Sequence, residues 1–254
     1  MTYDDLIFEV PQESPTYRED SEFVIKQITA ILEDRIKVGA NKIILNTNLK
    51  MGLPFENINK IAGPMIEAWT LEVFTDVCDD LKNQYNLIGV SAQKRLGMAD
   101  IILEFRRSAR VSTGNVDVKT TATGIPTSGK DPNITSFSRI RTAYVTDPDF
   151  MFIILSIKHR AYSEKNEATG LVDGVMEAVS FNAYDLKYIS DDDIHYNPAL
   201  GTGQIQIKDI HDVHCQFRTT WEMCQLLDTK YLRCSRRTFD DFYREARKNR
   251  WIKN

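Results

Sequence analysis

The chain has 254 residues, 42% hydrophobic and 27% charged, a globular composition that excludes disordered and fibrous classes. Thirty-two Lys and Arg against 36 Asp and Glu leave a formal charge of −4, which taken whole argues against a nucleic-acid binder. The sum hides segregation: residues 106–160 and 215–254 each carry +5, and the rest of the chain −14. Charge alone does not separate a binding surface from solvated helix faces.

Cys78, Cys215, Cys224 and Cys234 form no C-x-x-C pair, and the acidic N-terminus lacks the basic start of a signal peptide. The longest apolar run, Phe150 to Leu155, is too short to span a bilayer. These features predict a soluble, cytoplasmic protein with reduced thiols. His211, His214, Cys215 and Cys224 supply only half of a zinc-ligand spacing and read as polar and core residues.

In chain order, residues 1–20, with Pro11 and Pro15, predict an extended arm. A helix follows from Ser21, its N-cap, to about Val38. Lys42–Leu45 is a strand candidate. Gly63-Pro64 predicts the opening of a largely buried helix, with Ile66, Trp69, Val73, Val77 and Leu81 on one stripe and Leu71, Phe74 and Cys78 on another. Glu67 falls on the second stripe, where a carboxylate needs a partner or a metal unless it serves the helix dipole. Strands are expected at Leu87–Val90 and Ala99–Phe105, then a polar turn at Ser112–Asn115 and a strand at Val116–Thr121. Residues 124–133 read as loop, Thr135–Tyr144 as a basic helix, and Phe150–Ile157 as a central strand. Val175–Ala183 and Gln204–Ile207 are further strands, and helices near Thr219–Asp228 and Thr238–Asn249 close the chain. The order predicts an α/β (α+β) protein, one domain with a mixed central sheet flanked by helices.

The sharpest chemical feature is Asp117-Val118-Lys119. On a strand, positions i and i+2 share a face, so Asp117 and Lys119 project together, and a hairpin would set Asp100 beside them. Two carboxylates and an ammonium suit metal-assisted phosphodiester hydrolysis: hard oxygens hold Mg²⁺, and Lys119 orients the nucleophile or offsets transition-state charge. Glu67 would complete or orient the metal shell. Asp-x-Lys recurs at Asp80, Asp185 and Asp228. Asp80 and Asp228 sit in helical pattern, where i and i+2 diverge. Asp185 is the rival, without a strand–turn–strand unit or an adjacent basic block. The bland alternative, a solvent-facing Asp117–Lys119 pair, stays open on pattern alone.

At these residues the chain resembles type II restriction endonucleases of the PD-(D/E)xK superfamily, in the branch that includes EcoRV and HincII and with an HpaI-type enzyme within its range. The motif stands as Ala99-Asp100 and Asp117-Val118-Lys119, with Ala99 in place of the usual Pro. Ala62-Gly63 with Glu67, Pro132-Asn133-Ile134 with Ser136, and Gln204-Ile205-Gln206 extend the likeness over about residues 62–221. The resemblance implies a restriction-endonuclease-like fold and a Mg²⁺-dependent homodimer cutting both strands of a short palindrome, with blunt ends and 5′-phosphates. It implies a cognate DNA methyltransferase. Catalysis would rest on Asp100, Asp117, Lys119 and Glu67, and metal binding on Asp100, Asp117 and Val118. Asn133, Lys130, Thr120, Arg139, Arg141, Gln204 and Gln206 would contact double-stranded DNA. The N-terminal arm and helix (1–40) are candidates for dimerisation, and residues 215–254 form a basic helical segment. A junction or mismatch nuclease with the same core, or a non-catalytic DNA-binding protein of this fold, are the alternatives.

Overall fold

The computed structural model describes residues 1–93 and 97–253. The chain traces two compact units, one of residues 22–129 and 153–184, the other of residues 1–21, 130–152 and 185–254. No helix among the described residues is long and apolar enough to cross a membrane.

The first unit is built on a mixed six-stranded sheet. Its strands are β1 (Lys42–Leu45), β2 (Leu87–Ala92), β3 (Ile101–Arg107), β4 (Arg110–Ala122), β6 (Met151–Lys165) and β7 (Val172–Asp185), in the order β1-β7-β6-β4-β3-β2. Every residue of β6 from Met151 to Ile157 is buried, as expected of a continuous apolar run flanked by strands on both sides. β3 alternates: Ile101, Leu103 and Phe105 are buried, whereas Glu104 and Arg106 are exposed.

The hairpin turn falls elsewhere than predicted. Ser112–Asn115 pair in register with Phe105–Ile102, and the turn is Ser108-Ala109, closed by Arg107 opposite Arg110. Ser108 takes a φ of 55°, so turn geometry prevails over the polar composition of 112–115. Side-chain polarity misled here because those residues sit on a ladder whose backbone groups are already paired.

Helix α2 runs from Phe55 to Asp79, with Pro64 inside it, rather than opening at Gly63-Pro64. The acceptor left by the missing Pro64 N–H belongs to Lys60, an exposed residue that water can serve. One face is buried, through Ile58, Ala62, Ile66, Thr70, Val73, Phe74 and Val77. The second stripe is buried only at Phe74: Leu71 and Cys78 are half-buried and Glu67 is exposed. Leu81 lies past the helix end and is fully exposed, so Asp80-Leu81-Lys82 is not helical.

The second unit carries a three-stranded sheet in the order β5-β9-β8, with β5 at Asn133–Ser136, β8 at Ile194–Asn197 and β9 at Gln204–Ile207. Helices α3 (Phe137–Thr146), α4 (Thr220–Leu232) and α5 (Phe239–Lys248) belong to it. Thr219 and Thr238 open α4 and α5 with capping boxes to Glu222 and Asp241. Phe137 stacks on Tyr231 at 4.6 Å and meets Trp251 edge-on at 5.6 Å. The arm is not extended throughout, since Tyr3–Asp5 form a 3-10 turn, and it is pinned: Glu9 N–H donates to Trp251 O and Lys253 N–H to Ile7 O, both at 2.8 Å. Helix α1 (Tyr17–Lys37) starts before the predicted cap. Ser21 is interior and buried, donating instead to Asp185 Oδ2 at 2.8 Å.

Candidate active site

The β3–β4 register sets the site. Ile101 lies opposite Val116, so Asp100, one residue before β3, falls beside Asp117. The approach is tied at the backbone. Asp100 N–H donates to Val116 O at 2.9 Å, and Asp100 Oδ2 accepts from Val118 N–H at 2.7 Å. Along β4, Asp117 and Lys119 share a face, and Lys119 Nζ stands 2.6 Å from Asp117 Oδ2. The structure thus brings Asp100, Asp117 and Lys119 together. Beyond them, a Cβ on Gly63 of α2 would stand 3.8 Å from Thr120 Oγ1, and Thr123 N–H donates to His159 O on β6 at 2.8 Å.

Asp117 is the buried member, 5% exposed. Burial pushes its pKa up to about 7; Lys119 opposes the shift, and Asp100 and Glu67 add to it. The charge and the hydrogen bond of Lys119 both hold the pKa down, but no well-aligned donor meets Oδ2. A buried anionic oxygen without a donor is costly, and a cation would satisfy it. The two carboxylates suit a hard divalent metal, and Val118, apolar in its side chain, can offer only its carbonyl. Among the described residues no three His, Cys, Asp or Glu side chains gather closely enough to hold a metal by themselves. Waters would fill the remaining positions, as a hard divalent ion accepts.

Glu67 does not sit on a buried face, because α2 turns that side to solvent. Its charge still registers: partial desolvation, then repulsion from Asp100, raises its pKa against the pull of Lys119. It is an electrostatic neighbour of the pair, and among the described residues the three acids do not gather into a metal-holding cluster.

The rival triplet has a different fate. Asp185 accepts from Tyr17 Oη at 2.7 Å, Ser21 Oγ at 2.8 Å and Lys187 N–H at 2.9 Å. Lys187, fully buried, donates to Glu13 at 2.6 Å beneath the Tyr17 ring. The Asp185 and Lys187 charges are satisfied within the protein, which makes this a structural knot.

The model of the type II restriction endonuclease HpaI family matches residues 4–250. The chain is 64% identical, over the full 254 residues of both proteins, to the type II restriction enzyme HpaI of Haemophilus parainfluenzae. The chain belongs to the HpaI family of type II restriction endonucleases. It is therefore a site-specific deoxyribonuclease.

The residues expected on DNA in this family member divide sharply. Asn133 is exposed and pairs in register with Gln206, as Ser136 does with Gln204. Arg139 is exposed, and Thr120 is half-buried. Lys130 reaches solvent but is ion-paired with Asp209. Arg141 does not fit the expectation. It is wholly buried and holds Asp228 through two hydrogen bonds of 3.0 and 3.2 Å, with Tyr3 Oη on the same carboxylate at 2.9 Å. The neighbouring positions 139 and 141 look alike in sequence, but the helix turns one outward and the other inward.

Sequence reasoning missed the group that shapes the β8–β9 turn. Arg237 donates to Pro198 O and Gly201 O at 2.7 Å each and to Tyr196 Oη at 2.8 Å. Tyr196 in turn donates to Thr202 O at 2.8 Å. Gly203 has a φ of 88°, and a Cβ there would collide with the Tyr196 ring. Gly201 and Gly203 were the only local signal, because Arg237 is remote in sequence.

Proposed function

We propose that this enzyme cleaves both strands of a short palindromic DNA site in a Mg²⁺-dependent reaction, leaving blunt ends with 5′-phosphates. The observation that carries this reading is the Asp100–Val118 hydrogen bond, which sets two carboxylates beside an ammonium on adjacent strands. Asp100 and Asp117 would hold Mg²⁺, which would supply Lewis-acid polarisation of the scissile phosphate and acidify water. Lys119, partly open to solvent, positions the attacking water by hydrogen bonding and offsets charge on the phosphoryl oxygens. Asp100 and Asp117 orient the reacting groups, with the Val118 carbonyl as a third oxygen. Glu67 holds the local field negative, which favours a cation.

A palindrome calls for two-fold symmetry, so the enzyme works as a homodimer with one site per strand. The N-terminal arm and helix are its candidate contact. A cognate methyltransferase would protect the host DNA, and both would act in the cytoplasm. The test is a digest of DNA of known sequence with Mg²⁺ and with EDTA, followed by end mapping. Discrete fragments with flush 5′-phosphate ends, only with Mg²⁺, support the proposal. Staggered ends, nicking confined to branched or mismatched DNA, or binding without cleavage would each overturn it.

A further inference from the structure

We infer that His195, held by Asp131, is a specificity-determining residue on the sheet face that also carries Asn133, Gln204 and Gln206, the residues already expected on DNA. The inference rests on the reading above that the enzyme binds a defined DNA sequence.

The sheet has two unlike faces. Ile134, Ile194, Ile205 and Ile207 are buried on one. On the other the register aligns two transverse rows, since directly opposed residues share a face. Asn133, Gln206 and His195 form one row; Ser136, Gln204 and Asn197 form the second. None of the six is charged in the manner of Lys, Arg, Asp or Glu. Uncharged polar residues are common on a face that merely meets water, but a phosphate-binding face calls for Lys and Arg. Amides and imidazole instead match the donor and acceptor pattern of base edges in the major groove, which a β-ribbon can enter.

Asp131 organises the first row. Its carboxylate lies 2.8 Å from His195 Nδ1, and its carbonyl accepts from Gln206 Nε2 at 2.7 Å. It does so from a left-handed backbone conformation, φ 46°. Two neighbouring side chains are thus oriented by one residue. His195 Nε2 and Gln206 Oε1 are the atoms left to face a ligand. The His195 and Asp131 side chains are 44% and 53% exposed. A contact that open contributes little to folding, so a structural role would be weak, and an effect on recognition can be measured apart from stability.

The experiment begins with the wild-type enzyme, whose site is first mapped by digestion. Failure to obtain discrete fragments would strike the proposed function and not this inference. Single-turnover cleavage is then measured on the mapped site and on every single-base-pair variant, for wild type, His195→Ala, His195→Asn and Asp131→Asn. Melting temperature and affinity for DNA lacking the site are measured alongside. The expected result is a loss of discrimination of about tenfold or more at one symmetric base-pair position for His195→Ala, as one base contact supplies. Asp131→Asn should give a smaller loss at the same position, with melting temperature and non-specific affinity unchanged. Unchanged discrimination at all positions, or an equal loss on every DNA, would overturn the inference. So would a loss of discrimination that tracks melting temperature across both His195 variants.

Discussion

Asp100 Oδ2 accepts a 2.7 Å hydrogen bond from the backbone N–H of Val118. A carboxylate one residue before β3 is thereby fixed to the strand that bears Asp117 and Lys119. A site anchored to backbone holds its spacing when side chains change, which separates chemistry from binding in mutants.

Lys119→Ala should lower the cleavage rate by about 10²–10³-fold, the scale on which one charge-stabilising group acts, and Asp117→Ala should bring it below detection. Both variants should bind the mapped site within a few-fold of wild type. Single-turnover rates and a metal-free binding assay check this; cleavage that persists in Asp117→Ala would remove the site assignment.

The buried Asp117 carboxyl titrates near 7 when no metal is bound, against 3.8 in an exposed chain. Between those values the folded protein holds more protons than the unfolded chain. This contribution to stability is therefore complete below about 3.8 and disappears as pH rises through 7. In EDTA, the melting temperature of wild type should fall relative to Asp117→Asn over that window. Metal keeps the carboxylate ionised, so apparent Mg²⁺ affinity should climb with pH and level off above about 7. Parallel melting curves for the two proteins in EDTA would contradict this.

Arg141→Ala leaves Asp228 buried without its counter-charge, a change that costs about 3–5 kcal/mol. Thermal denaturation should show that loss, while the salt dependence of DNA binding keeps its slope. Arg139→Ala should behave oppositely, reducing the slope of log K against log salt by about one with little change in melting. If both arginines alter the slope alike, the outward and inward assignments on α3 are wrong.

Gly203→Ala places a methyl group in the Tyr196 ring at a left-handed φ, so it should destabilise by more than about 1 kcal/mol. Arg237→Ala should loosen the same turn by freeing the Pro198 and Gly201 carbonyls. Hydrogen exchange at residues 198–204 reads the effect, and protection equal to wild type in both variants would refute it.

Much was written locally. The Phe150–Ile157 run, the strands Lys42–Leu45 and Gln204–Ile207, and the capped helices near Thr219 and Thr238 are legible because periodicity and capping act over a few residues. So was the pairing of Asp117 with Lys119, since a strand repeats every two residues. The pattern could not say which Asp-x-Lys was chemical. Asp117 and Asp185 are both buried carboxylates followed by lysine. One keeps an oxygen without a donor, and the other is satisfied by Tyr17 and Ser21, far away in the chain. Burial and long-range partners made that distinction, and burial separated Arg139 from Arg141. The charge count behaves the same way. The +5 segments are visible in sequence, but Arg141 and Arg237 within them are held by Asp228 and by turn carbonyls. The Asp117-Val118-Lys119 motif, and not the overall charge, therefore pointed to the class of ligand, whereas tertiary contacts decided which cations remain for it, because a charge is available only where the fold has not already neutralised it.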